Sequence, residues 1–269
     1  MTQGFIKKQN LDPFVEQAVR VAFSTYGDVI SVEAKAKDLI KFGRNDDVSS
    51  AATGSTIMEF TGGEDHETYV STNVIDTISS SSLSDTEIMT IEGHTISGGV
   101  FTFVSQTKTL QGQTKTTLDT PLARCTRYNG NGTDLVGAIY AYQTASAVTT
   151  GVPQDGTLTH CIIRAGKNQS EKGSTTISNA DYWLITKFTI DVFQKTSVFI
   201  DAELQLRLAG GVFRTIDAVS ASTSSNTVEE QKPYIIVPKN SDVRLVAVGS
   251  ADSMDVAGSI HGMLASVVG

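Results

Sequence analysis

Cysteine, tryptophan and proline are scarce in this chain, at two, one and five residues in 269. Cys125 and Cys161 are too few and too far apart for a zinc knuckle or a disulfide framework, so both are expected as free thiols. Aromatic residues reach only 7%, which leaves few rings to stack on sugar faces. Positive charge is short as well: 21 Lys and Arg against 29 Asp and Glu leave a formal net charge of -8. Nucleic-acid binders draw much of their affinity from counterions released by Lys and Arg, so DNA and RNA are not expected as partners. No apolar run approaches the roughly 20 residues of a membrane helix. The opening MTQGFIKKQNLDPF has no apolar stretch behind its lysines, so neither a secretory signal nor a membrane partner is expected.

Catalytic signatures are also missing. There is no G-x-S-x-G elbow, no phosphate-binding G-x-x-x-x-G-K-[ST] loop and no dinucleotide fingerprint after a strand; the Gly166-Lys167 pair lacks the upstream glycine that would complete a phosphate cradle. His94 lies two positions from Glu92, on the same side of a strand, with no third group to orient its ring. His66, His160 and His261 stand singly, outside any H-x-x-x-H or H-E-x-x-H spacing, and are expected at the surface or an interface. GGEDHETY (62–69) gathers Glu64, Asp65, His66 and Glu67, yet consecutive residues of an extended segment point alternately, so an acidic surface turn is expected. NGNGTD (129–134) lacks the terminal bidentate Glu of a calcium loop and reads as a tight turn. The sequons at Asn131 and Asn168 carry no meaning in a chain that is not exported. Hence no enzyme, catalytic residue, metal or cofactor is expected.

What is present is strand pattern, preceded by a short helical one. Asp12 suits an N-cap and Pro13 the first helical position, and Phe14, Ala18 and Ala22 recur on one face, predicting a helix over 12–23. SVEAKAKDLIKFGRN, from Ser31, reads either as a helix stopping at Gly43 or as a strand. Beyond residue 50, Ser, Thr and Gly dominate. In SVFIDAELQLRL the residues Val198, Ile200, Ala202, Leu204, Leu206 and Leu208 alternate with polar neighbours, and after Gly210-Gly211 the chain returns as VFRTIDAVS, predicting a hairpin. DYWLITKFTIDVF, KPYIIVPKNSDVRLVAVGSA and DVAGSIHGMLASVV add further runs at turn spacing. Pro233 and Pro238 mark YIIV as short or near an edge. Upstream, VFTFV is expected to turn at Gly112 and pair with the returning TKTTL. The expected fold is mainly β: an antiparallel sandwich or jelly roll over 126–269, a small mainly-β domain over 25–125, and an arm and helix over 1–24, the N-terminal part being mixed α+β.

The segments KDLIKFGRNDDV, SDT, TIEG, LQGQTKTTL, LAGGVFRTID and IIVPKNSDVRLVAVGSADSMDVAGSIHGML, in this order, resemble a widespread group of tailed-bacteriophage virion structural proteins. That resemblance implies a capsid decoration or cement protein acting as a symmetric oligomer, here a homotrimer. Its partners would be the major capsid protein and itself; its place would be the outer capsid surface after synthesis in the host bacterial cytoplasm. A charge of -8 is tolerable there, away from packaged DNA. Phe5, Ile6, Leu11, Phe14 and Phe23 exceed what one short helix hides and are the expected capsid contacts. The alternative is a neck, tail or fibre component that recognises host carbohydrate.

Overall fold

Residues 35–59, 66–130, 135–193, 198–223 and 227–266 are described by the structure, a computed structural model. The expected helix over 12–23 lies outside them, as do Phe5, Ile6, Leu11, Phe14 and Phe23.

The described chain is built of strands, which in order are β1 (Lys35–Val48), β2 (Ser55–Thr56), β3 (Ile75–Ser80), β4 (Ile88–Ser97), β5 (Val100–Thr109), β6 (Thr116–Leu122), β7 (Arg124–Gly130), β8 (Ile139–Tyr142), β9 (Val148–Thr149), β10 (Val152–Pro153), β11 (Thr159–Ile163), β12 (Ser174–Ile177), β13 (Asp181–Val192), β14 (Phe199–Leu208), β15 (Arg214–Ser222), β16 (Thr227–Val237), β17 (Ser241–Gly249) and β18 (Met254–Ser266). All their pairings are antiparallel. Among the described residues the only helical element is a single 3-10 turn, Gly156–Leu158, capped by the Asp155 side chain. The described N-terminal residues are therefore β, and the helical share of the expected mixed α+β character lies outside them. The ambiguous segment after Ser31 resolves as β1 because β18 offers it a ladder running from Lys35↔Ser266 to Asn45↔Val256, which satisfies its backbone groups without helical turns.

Two sheets, β1-β18-β13-β16 and β12-β17-β14-β15, face each other over a first core. Trp183, Phe188, Ile190, Ile200, Leu204, Leu245 and Ile260 fill it, each contributing about 1.5–3 kcal/mol by leaving water. The sheets carry this core because the alternation in 198–208 and its neighbours supplies one dry face per strand. The expected β14–β15 hairpin forms, with Gly210 at φ 74 in its turn. The apolar series fades along it: Ile200, Ala202 and Leu204 are buried, whereas Leu208 is exposed. β16 is an edge strand, as its prolines suggest, but runs the full length from Thr227 to Val237, and its register against β13 jumps between Ile235 and Glu230, the stretch that contains Pro233.

A second core lies between sheets β11-β8-β3-β6 and β5-β4-β7, with Ile75, Ile78, Met89, Ile91, Leu122, Tyr128, Ile139 and Ile163 inside it. Here one expected pairing is corrected. β5 returns on β4 through a two-residue Gly98-Gly99 turn, both at positive φ, while the residues after Gly112 form β6 and join β3 instead. Glycine pairs in such primed turns match the strand twist, so this hairpin wins the register. Packing groups residues by core rather than by chain order: β1 closes the C-terminal sheet, and Arg124 and Cys125, where a break is expected from sequence, open β7. β1 also abuts the strands around it closely. A Cβ at Gly43 would lie 2.1 Å from the Ile57 carbonyl oxygen and 2.2 Å from the Gly173 nitrogen, so only glycine permits that approach.

Candidate functional site

Where the two cores meet, charged groups take the place of apolar ones. Arg124, at the start of β7, directs Nε to Asp242 Oδ1 at 3.0 Å and Nη2 to Oδ2 at 3.2 Å, a two-pronged pair between a strand of the second core and β17 of the first. Its Nη1 donates to the carbonyls of Val70 and Ala123 at 2.6 and 2.7 Å. Asp242 is fully buried and also accepts from Arg207 Nε at 2.9 Å and Thr176 Oγ1 at 2.6 Å. Burial alone would push its carboxyl up; the hydrogen bond and charge of Arg124, with Arg207 and Thr176, hold it below the usual range.

Aromatic rings alternate with these guanidinium groups. Arg124 lies 5.0 Å from the ring centres of both Tyr69 and Phe101, Arg207 lies 4.1 Å from Tyr69 and 4.6 Å from Phe213, and Arg244 lies 4.0 Å from Phe213. A cation over a ring face is favourable, more so out of water. The stack thus seats two guanidinium groups, Arg124 and Arg207, against the shared Asp242 carboxylate, while Arg244 donates from Nε to Gln205 Oε1 at 2.9 Å.

A second buried ionic group lies beside it. Lys172 Nζ donates to Glu67 Oε1 at 2.6 Å, to the Cys125 carbonyl at 2.7 Å and to the His160 carbonyl at 3.1 Å, and Ser174 Oγ donates to Glu67 Oε2 at 2.6 Å. Burial opposes both charges, yet their mutual attraction holds Glu67 below and Lys172 above their ordinary values. Lys41 donates to the Thr126 carbonyl from the inner side of β1; burial, then the Lys172 charge, push it down to about 8. Cys125 and Cys161 are buried in the same core, and each thiol shifts the other's ionisation.

The surface offers a different feature. On β1 the inward residues Lys41, Gly43 and Asn45 are buried, whereas Ile40 is 59% exposed and Phe42 40% exposed on the opposite side. Among the described residues β1 pairs with a strand on one side only, its other long edge lying at the sheet border and meeting the Glu171 carbonyl through the Arg44 N–H. Phe193 is exposed as well, beneath the Arg44 guanidinium at 5.3 Å, and Arg44 pairs with Asp255.

Several residues singled out from sequence fall elsewhere than expected. His160 is buried, its Nδ1 3.2 Å from the Thr68 carbonyl and its Nε2 3.0 Å from Gln143 Nε2, so its expected surface position is corrected. Glu67 leaves the expected acidic surface turn for the buried pair with Lys172, because an ammonium waits for it there. His66 and His261 are half-buried. His94 is buried between Phe101 and Phe103, ring centres 6.4 and 5.6 Å away, and burial pushes it down to about 4. Residues 60–65 and 131–134 lie outside the described residues. Among the described residues no group of three or more His, Cys, Asp or Glu side chains is placed to hold a metal ion, and no helix is long and apolar enough to cross a membrane. Sequence reasoning missed Arg124, Asp242 and Lys172. Their only trace is a charge at an inward position of an alternating run, as in Ser241-Asp242-Val243.

Comparison with protein-family models and with curated proteins gave no match. Among solved structures the chain is similar to the structure of infectious bursal disease virus Gt strain, with 10% identity and a TM-score of 0.20 over 88% of this chain and 77% of that one. It is also similar to the infectious bursal disease virus VP2 subviral particle, with 8% identity and a TM-score of 0.21 over 96% and 78%. Scores this low carry no argument about fold or function.

Proposed function

We propose that this chain is a non-enzymatic virion structural protein that binds the outside of a phage capsid shell as a decoration or cement protein, working as a homotrimer. The observation that carries the reading is the outer side of β1, where Ile40 and Phe42 stand exposed beside an open strand edge. Such a stripe supports docking by strand addition or by burial of the two side chains against a flat neighbour. The ordered sequence motifs support the same class, and the charge of -8 suits a surface remote from packaged nucleic acid. The partners on this reading are the major capsid protein and two further copies of the chain.

Co-sedimentation with shells that lack the protein tests it. The intact chain should pellet with shells; Ile40→Asp with Phe42→Asp should stay in the supernatant with unchanged melting. Removal of residues 1–24, which takes away Phe5, Ile6, Leu11, Phe14 and Phe23, should also abolish binding. Retained binding in both variants would sink the proposal, and a native mass other than that of three chains would remove the trimer. Carbohydrate recognition is disfavoured because the single tryptophan, Trp183, is wholly inside the first core and cannot stack on a sugar. Clear hits on a glycan array would reverse that preference.

A further inference from the structure

We infer that Cys125 and Cys161 form a redox-active dithiol that closes to a disulfide joining the two sheets of the second core. Cys125 belongs to β7 and Cys161 to β11, the border strands of facing sheets, which run beside each other. One ammonium group, Lys172 Nζ, reaches the Cys125 carbonyl at 2.7 Å and the His160 carbonyl, next to Cys161, at 3.1 Å, so the two backbones approach within the span of a single donor. Both thiols are buried in the same core, with Ile75, Ile78 and Tyr128. Few other residues of that core could contribute covalent chemistry.

Charge balance supplies the second support. Lys41 and Lys172 both lie in electrostatic reach of both sulfurs, Arg127 adds its charge at Lys41, and the Glu67 carboxylate pairs with Lys172. Glu67 is taken by Lys172, and Lys41 has no carboxylate among the groups that act on it most strongly, a position that a low-dielectric site does not tolerate well. A thiolate at Cys161 completes the balance. In keeping with this, the Cys161 thiol is pulled down by the hydrogen bond from Cys125 and by the lysines, while the Cys125 thiol, as the donor, is held up. Thiolates, not thiols, are the reactive form.

The chemistry needs a two-electron oxidant, here hydrogen peroxide. The Cys161 thiolate attacks one peroxide oxygen; an S–O bond forms, the O–O bond breaks, and the departing hydroxide takes a proton to become water. Cys125, after giving up its proton, attacks the resulting sulfenic sulfur. The S–S bond forms as the S–O bond breaks, releasing a second water. Two thiols and one peroxide give one disulfide and two waters, the thiols losing two electrons and two protons. Both sulfurs are shielded from solvent, so a small oxidant succeeds where bulky thiol reagents fail. If the chain serves on a virion, the dithiol is reduced in the host and meets oxidants after release; the chemistry itself is independent of that reading.

The test uses the full-length folded protein treated with hydrogen peroxide, then unfolded and alkylated. The expected result is a mass lower by two hydrogens, no alkylation, a linked peptide pair containing residues 125 and 161, and a melting temperature raised by about 5–10 °C that a reductant reverses. Cys125→Ala should stop at a sulfenic acid on Cys161 that dimedone captures. Should that variant not fold, the mass of the wild-type chain decides alone. Two alkylatable thiols surviving in the folded chain, separate overoxidation of each sulfur, or a linkage between chains would each overturn the inference, and none of them bears on shell binding.

Discussion

The two cores solve the same packing problem with different materials. The first is almost wholly aliphatic and aromatic, filled from the strands of its two facing sheets. The second holds a thiol pair and is flanked by Lys41, Glu67, Lys172, His94 and His160, all buried. Burying a hydrocarbon is favourable in proportion to its area, wherever it sits. Burying a charge is favourable only when its partner is already in place, so the second core and the seam depend on groups distant in sequence, such as Arg124 and Asp242. Apolar packing should therefore degrade gradually under mutation and ionic packing abruptly.

The largest break is expected at the seam. Asp242→Ala leaves the buried Arg124 and the half-buried Arg207 guanidinium groups around an empty centre and should cost about 3–5 kcal/mol in urea unfolding. A loss under 1 kcal/mol would mean that the seam admits water and the contrast between the cores is false. Lys172→Met should cost about 3 kcal/mol by stranding Glu67, whereas Lys172→Met with Glu67→Leu should regain most of that loss, a non-additivity that identifies the pair.

In the first core Leu245→Ala should cost about 3 kcal/mol, set by lost burial and the cavity left behind, and should add to Ile200→Ala unless the two cavities merge. Acid sharpens the comparison next. His94 and His160 are held near 4, below the ordinary value of 6.5, chiefly by burial. The unfolded chain then binds more protons than the folded one below pH 6.5. Stability is full above that pH and falls as pH drops toward 4, by roughly 2 kcal/mol per histidine between pH 7 and 5. His94→Phe should flatten its share of that slope in pH-dependent melting; an unchanged slope would place the proton elsewhere. The smallest effect belongs to the surface pair Lys108–Asp119, where Lys108→Ala should change stability by less than about 0.5 kcal/mol.

Sequence pattern revealed the first core far better than the second. The period-two run through Ile200, Ala202 and Leu204 announces both its strand and its buried face, and Gly210-Gly211 its turn. The Gly98-Gly99 turn went unread from the sequence, which placed the turn at Gly112, and pairing after Gly112 depended on competition between β5 and β3 for the same returning strand, which local residues do not decide. Glu67 shows the limit at the site: its neighbours Asp65 and His66 suggest an exposed acidic turn, and only the approach of Lys172, far along the chain, brings it inside.

Strand character, an antiparallel architecture and the dry faces of the C-terminal runs were determined by sequence alone, because a side-chain period of two is a local property of extended backbone. Which strands became neighbours, which charges were buried together and that two distant thiols share one core were decided by tertiary structure. Those outcomes depend on partners brought from far along the chain, and a buried charge is stable only once its partner has arrived.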